Sequence, residues 1–245
     1  MSLDPANINI AAAETLSAFR SRVAGIPYER KGILYSEMFF LYLCARALTP
    51  RRVFESGRAR GQSTLMLSAL FPDLQVVSIE SDPNSPDVHV AGDRLKGRDN
   101  VSLRFGDATR ILPAEVREGD LVLIDGPKGF RGLRLALRLL ATGKPKLVFV
   151  HDCGLGTEER AFLDATLCGA LYSDSIDFAR VARVLDAACW ADIPPERRFD
   201  GERAPRAYGF GLACLPFDPA ASYRTAFARA VIAGIGSRLK RRERR

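Results

Sequence analysis

Short β-branched and apolar runs alternate with stretches of helical spacing through the middle of this chain. Arg52–Glu55, Gln75–Glu80, Val101–Phe105, Leu121–Asp125 and Leu147–His151 each read as a buried strand, bounded by Gly, Pro, Asp or Asn. Between them, Ser63–Leu70 and Gly132–Leu140 carry apolar residues at helical spacing. Strands that are apolar throughout, separated by helices, predict a parallel sheet covered on both faces. Ahead of the first strand, Ser36 is placed to cap a helix through Ala47 that buries Phe39, Phe40 and Leu43. Beyond the fifth strand the pattern weakens. Glu158–Leu167 and Phe178–Trp190 read as helices, Ile193–Arg206 as a loop rich in Pro and Arg, and Tyr208–Leu215 as a late strand. No internal repeat or interdomain linker breaks the pattern.

Composition narrows the class. The chain has 245 residues, 47% hydrophobic and 27% charged, which excludes a disordered or low-complexity chain. The net charge of +7 suggests nucleic acid until it is located: Arg238–Arg245 carries six basic residues and Glu243, so the remaining residues are close to neutral. The basic excess belongs to a tail, and a nucleic-acid partner is disfavoured. Cys44, Cys153, Cys168, Cys189 and Cys214 show no C-x-x-C spacing, which speaks for reduced thiols and a cytoplasmic protein. The longest apolar segment, Ile33–Leu48, is interrupted by Ser36, Glu37 and Arg46 and is too short to span a bilayer; no membrane association is expected.

In an open α/β sheet, ligands bind outside the carboxyl ends of the strands. All five strand ends here carry polar or acidic groups: Glu55, Glu80, Asp107, Asp125 and the pair His151–Asp152. The first turn runs Glu55-Ser56-Gly57-Arg58-Ala59-Arg60-Gly61-Gln62-Ser63, with Gly57 and Gly61 allowing close backbone approach and the next helix offering free N–H groups. Ala59 and Gln62 stand where a dinucleotide fingerprint needs glycine, so an NAD site is excluded, and no phosphate-binding P-loop motif occurs. Glu80 offers two acceptor oxygens to the hydroxyls of a ribose. Asp107 reads equally as a contact to an adenine amino group or as the N-cap of the next helix. Arg58 and Arg60 are either solvated or pair with an acidic ligand. His151, one of two histidines with His89, stands among acids at the ligand edge; Trp190 reads as core.

These motifs resemble the class I S-adenosylmethionine-dependent methyltransferases: E-x-G-x-x-x-G-x-S after strand one, Ser78-Ile79-Glu80-Ser81-Asp82-Pro83 after strand two, and Gly106-Asp107-Ala108 after strand three. More narrowly, Ile124-Asp125-Gly126-Pro127-Lys128, Val150-His151-Asp152 and the Lys31–Gly32 pair are similar to the catechol-type O-methyltransferases. The resemblance spans roughly residues 31–155 and implies a Rossmann-like, doubly wound, mostly parallel seven-stranded sheet with helices on both faces. It implies one domain over 1–237, made of a helical cap region (1–50), a cofactor-binding core (51–155) and an acceptor-side region (156–237), followed by the basic tail 238–245.

By this resemblance, Glu55, Gly57, Gly61 and Ser63 hold the methionine part of S-adenosylmethionine, Glu80 the ribose, and Asp107 with Ala108 the adenine. The methyl group faces Asp125, Lys128, His151 and Asp152, with Lys128 or His151 handling the proton of a small-molecule hydroxyl. Two other readings stay open, an RNA-binding or RNA-modifying protein on the same fold and a catalytically silent cofactor-binding protein; a homodimer is also left open. Catechol-type enzymes use a divalent ion, which places ligands at Asp125, Asp152 and position 153. The third is Cys153, a poor partner for a hard cation, and His151 is expected to face away from Asp152 in a regular strand. A divalent metal is therefore not favoured.

Overall fold

The computed structural model describes residues 3–29, 32–189, 191 and 211–243. Strands β1 (Arg52–Ser56), β2 (Gln75–Glu80), β3 (Val101–Phe105), β4 (Leu121–Ile124) and β5 (Leu147–Val150) fall where the apolar runs place them. With β6 (Leu171–Tyr172) and β7 (Ala213–Pro216) they form one seven-stranded sheet in the order β3-β2-β1-β4-β5-β7-β6. The first five strands pair in parallel, whereas β7 runs antiparallel to both β5 and β6. This is the mostly parallel, doubly wound sheet expected above.

The strands alternate with period two between two cores, as pleating requires. Val53, Val76, Leu121, Leu123, Leu147 and Phe149 face one side, and Phe54, Val77, Val122, Ile124, Val148 and Val150 the other. The first side is covered by α1 (Pro5–Val23), α2 (Tyr35–Leu48), α3 (Gln62–Leu70), α4 (Asp87–Leu95) and α8 (Ile176–Ala182). The second is covered by α5 (Ala108–Glu115), α6 (Phe130–Leu140), α7 (Glu158–Thr166) and α9 (Tyr223–Glu243), a helix that continues into the segment read as a basic tail. Among the described residues no helix is long and apolar enough to cross a membrane.

Three local expectations are corrected. Ser36 does not cap α2: the helix begins two residues earlier than that cap would place it, with Leu34 at the N-cap, whose N–H is taken by the Glu37 carboxylate at 3.0 Å. Ser36 instead lies in the first turn, donating its N–H to Asp186 at 3.1 Å. The helix read over Phe178–Trp190 ends at Ala182 and tightens into a 3₁₀ segment through Cys189. The late strand is confined to Ala213–Pro216. Trp190, the loop Ile193–Arg206, Lys31 and positions 208–210 lie outside the described residues.

Helix α2 is locked to the sheet by aromatic contacts. The ring of Phe40 meets Phe149 of β5 edge-on at 6.4 Å and Phe178 of α8 at 5.2 Å. Truncating so well enclosed a ring leaves a cavity, so Phe40→Ala should lower unfolding free energy by about 3–5 kcal/mol in urea titrations. A loss below about 1 kcal/mol would show that α2 is not packed on the sheet as described.

Candidate functional site

The turn after β1 is built by glycine and held by Glu80. Gly57 has φ +88°, and a Cβ there would stand 2.6 Å from the Gly126 nitrogen, so only glycine lets the β1 and β4 turns touch. The Asp125 and Gly126 N–H groups both donate to the Ser56 carbonyl at 2.9 Å, tying the two turns together. Ala59 sits in the left-handed region at φ 45°, and its N–H is accepted by Glu80 Oε2 at 3.0 Å. Glu80 and the glycine turn, paired from sequence, are thus neighbours in space.

Glu55 points away from the open edge. It is fully buried under α3, where it accepts from the Thr64 hydroxyl and from Ser78 Oγ at 2.6 Å. Burial pushes its carboxyl up, against the pull of Ser63, Ser78 and Thr64. Asp107 is the N-cap of α5, its Oδ1 accepting from Thr109 N at 2.9 Å and Thr109 Oγ1 at 2.7 Å, and these bonds hold its carboxyl below the usual range. Ala108 is buried in the core beside it.

Both arginines of the turn have partners within the protein. Arg60 Nη1 bonds Glu29 Oε1 at 3.0 Å, and Arg94 Nη2 takes the other oxygen at 2.9 Å. Arg58 is buried: Nη1 donates to the Ser78 carbonyl at 2.9 Å and the guanidinium lies 5.1 Å from the centre of the Phe105 ring. Its Nε and Nη2 are enclosed without a hydrogen-bond partner, as are Glu55 Oε1, Arg60 Nε and both amide atoms of Gln62. A small cavity lined by Gly32, Ile33, Gly57, Arg58, Gln62 and Ser63 opens at this turn.

The ends of β4 and β5 bring together five charged side chains. Lys128 Nζ lies 2.5 Å from Asp125 Oδ1 and 2.7 Å from Asp152 Oδ2. His151 is buried, with Nδ1 on Asp125 Oδ1 and Nε2 3.2 Å from Glu37 Oε2. The expectation that His151 and Asp152 face opposite ways fails because β5 ends at Val150 and Asp152 takes φ 57°, a left-handed kink that returns its carboxylate to the His151 side. Asp125, His151 and Asp152 consequently present ligand atoms within 4.8 Å of one another. Cys153 takes no part. It is buried in the α6–α7 core, and desolvation pushes its thiol up to about 12.

Burial opposes charge on His151, yet Asp125 and Glu37 outweigh it and raise the imidazole to about 10. Lys128 follows the same pattern: burial lowers it, but Asp125 and Asp152 carry it above its ordinary value. Burial likewise opposes ionisation of Asp125, but His151 and Lys128 hold its carboxyl well below the usual carboxylate range. Sequence reasoning missed Glu37 as a site residue. Its signal was a lone acid inside an otherwise apolar run, noticed only as an interruption of that run. It also missed Gln62, whose amide abuts Gly32.

No protein-family model matches the chain, and no curated protein matches it. Solved structures do. The chain is similar to the SAH-bound methyltransferase PaMTH1 of Podospora anserina, with 17% identity over 85% of this chain and 88% of that one and a TM-score of 0.44. It is similar to the O-methyltransferase TomG of Streptomyces achromogenes, involved in tomaymycin synthesis and solved with SAM, with 19% identity over 89% and 92% and a TM-score of 0.45. The cofactor-bound Rv0187 from MTB shows 21% identity over 86% and 98%, with a TM-score of 0.45. At such identities the likeness concerns fold alone. The Rossmann-like, doubly wound fold itself stands on the strand order and the antiparallel β7.

The His151 arrangement has a measurable consequence. Its pKa in the fold lies above the ordinary value of 6.5, so the stability it contributes is complete below about pH 6.5 and is lost as pH rises through about 10. Unfolding free energy should therefore decline across that window, and the decline should flatten in His151→Gln. In ¹⁵N NMR the His151 ring should remain doubly protonated at pH 8; a neutral ring there would contradict the geometry.

Proposed function

We propose that the chain is an S-adenosylmethionine-dependent methyltransferase that acts on the hydroxyl of a small-molecule acceptor. The observation that carries this reading is the group of enclosed polar atoms without hydrogen-bond partners on Arg58 and Gln62, both of which line the cavity at the turn. Each such atom costs about 1–3 kcal/mol when left unmatched, and a ligand bearing charged and polar groups would satisfy them. That donor and acceptor set fits the cofactor: Arg58 and Gln62 suit its amino-acid end, beside Gly57, Gly61 and Ser63. Glu80, at the rim of the same turn, suits the ribose hydroxyls, and the Asp107–Ala108 turn suits the adenine. The cofactor supplies an electrophilic methyl carbon on a sulfonium.

The chain's own residues then have two tasks, alignment and charge stabilisation. Lys128 is the exposed member of the cluster, its side chain 54% accessible, and it faces the opening beside Asp125. Held as an ammonium by two carboxylates, it lowers the pKa of an acceptor hydroxyl, whose proton passes to solvent, and it steadies the oxyanion during transfer. His151, enclosed and flanked by Asp125 and Glu37, is a positioning residue that fixes Asp125. Of these two residues, Lys128 is the one an acceptor can reach, and it acts there as a fixed cation rather than as a base.

Calorimetry with S-adenosylhomocysteine should show binding to the wild-type chain and a loss of about 1–3 kcal/mol in Glu80→Ala. Unchanged affinity would remove Glu80 from the ribose site. Once an acceptor is found, Lys128→Met should cut the transfer rate by about 10²-fold or more. A rate within threefold of wild type would move the chemistry elsewhere.

A further inference from the structure

We infer that Lys128 is a built-in cation in the place that a divalent ion would need between Asp125 and Asp152, so that the cleft works without a bound metal. The inference rests on the methyltransferase reading above and goes beyond it. Three features of the donor set do not fit a hard divalent ion. The first is the ammonium itself, at 2.5 and 2.7 Å from the two carboxylates. An ion bound to both at about 2.1 Å would lie within about 4.6 Å of that like charge.

The second is His151. Both ring nitrogens already face carboxylate oxygens, Nδ1 on Asp125 and Nε2 on Glu37, so neither can turn to a metal without giving up a carboxylate partner. The third is the residue after Asp152, where an oxygen donor would be needed. Cys153 is buried in the opposite core, its N–H bonded to the Gly211 carbonyl at 2.9 Å. The left-handed turn at Asp152 serves this arrangement, because it aims Oδ2 at Lys128. A lone ammonium fixes one acceptor oxygen, where a divalent ion can fix two.

The test is titration of the full chain with Mn²⁺, read by the loss of the free-ion paramagnetic resonance signal. Wild type should show no saturable site up to millimolar Mn²⁺. Lys128→Ala and Lys128→Met, each checked for folding by circular dichroism, should gain one site per chain at least tenfold tighter than any wild-type binding. Adding Asp152→Asn should abolish that gain. One Mn²⁺ per wild-type chain, lost in Asp152→Asn, would overturn the inference, and so would the absence of any gain in a folded lysine variant. Binding of S-adenosylhomocysteine to wild type is measured separately. Its failure would sink the methyltransferase reading, while the Mn²⁺ titration judges the built-in cation independently.

Discussion

The parallel pairing of β1 with β4 is the constraint on which the rest of the molecule depends. Val53 pairs with Leu121 and Ser56 with Ile124, and Arg52 clamps Asp120 at the far end of the same two strands at 2.6 Å. From this pair the chain leaves in opposite directions, through α3 toward β2 and through α6 toward β5, so the connections diverge and leave a crevice between them. Each charged group of the site stands on one lip of that crevice or packs against it. The close approach of Gly57 to Gly126 then sets how far apart the lips can be.

Within that frame the electrostatics are unevenly distributed. On the β1–β2 side, polar groups are enclosed and short of partners, as Arg58 and Gln62 show. On the β4–β5 side, the opposite holds. Two cations and three carboxylates pair over short distances, with Asp152 Oδ1 the exception, and each pKa shift there follows from the neighbour's charge prevailing over burial. A crevice with one wall short of partners and one wall largely paired within itself suits a ligand that is gripped on one side and merely aligned on the other.

Much of this was legible in the chain itself. The five parallel strands are continuous apolar runs, and the strand-end acids follow because a ligand edge collects polar residues. Period-two alternation was hidden, since both faces are buried. The short β6 left no pattern of its own because two residues cannot show one. The candidate site was legible wherever a residue stands at a strand end, as at Glu80, Asp125 and Lys128. It was illegible where a role depends on a backbone kink, as at Asp152, or on a contact distant along the chain. Glu37 lies 114 positions from His151, and only the packing of α2 on the sheet brings them together.

That packing bears on what counts as the smallest working unit of this fold. A fragment starting at β1 would retain every strand-end motif and would look complete by inspection. It would lack Glu37, and with it one of the two carboxylates that keep His151 charged. The helices ahead of the sheet are therefore part of the electrical wiring of the strand-end cluster, and exchanging them would retune that cluster without touching a single residue of the crevice.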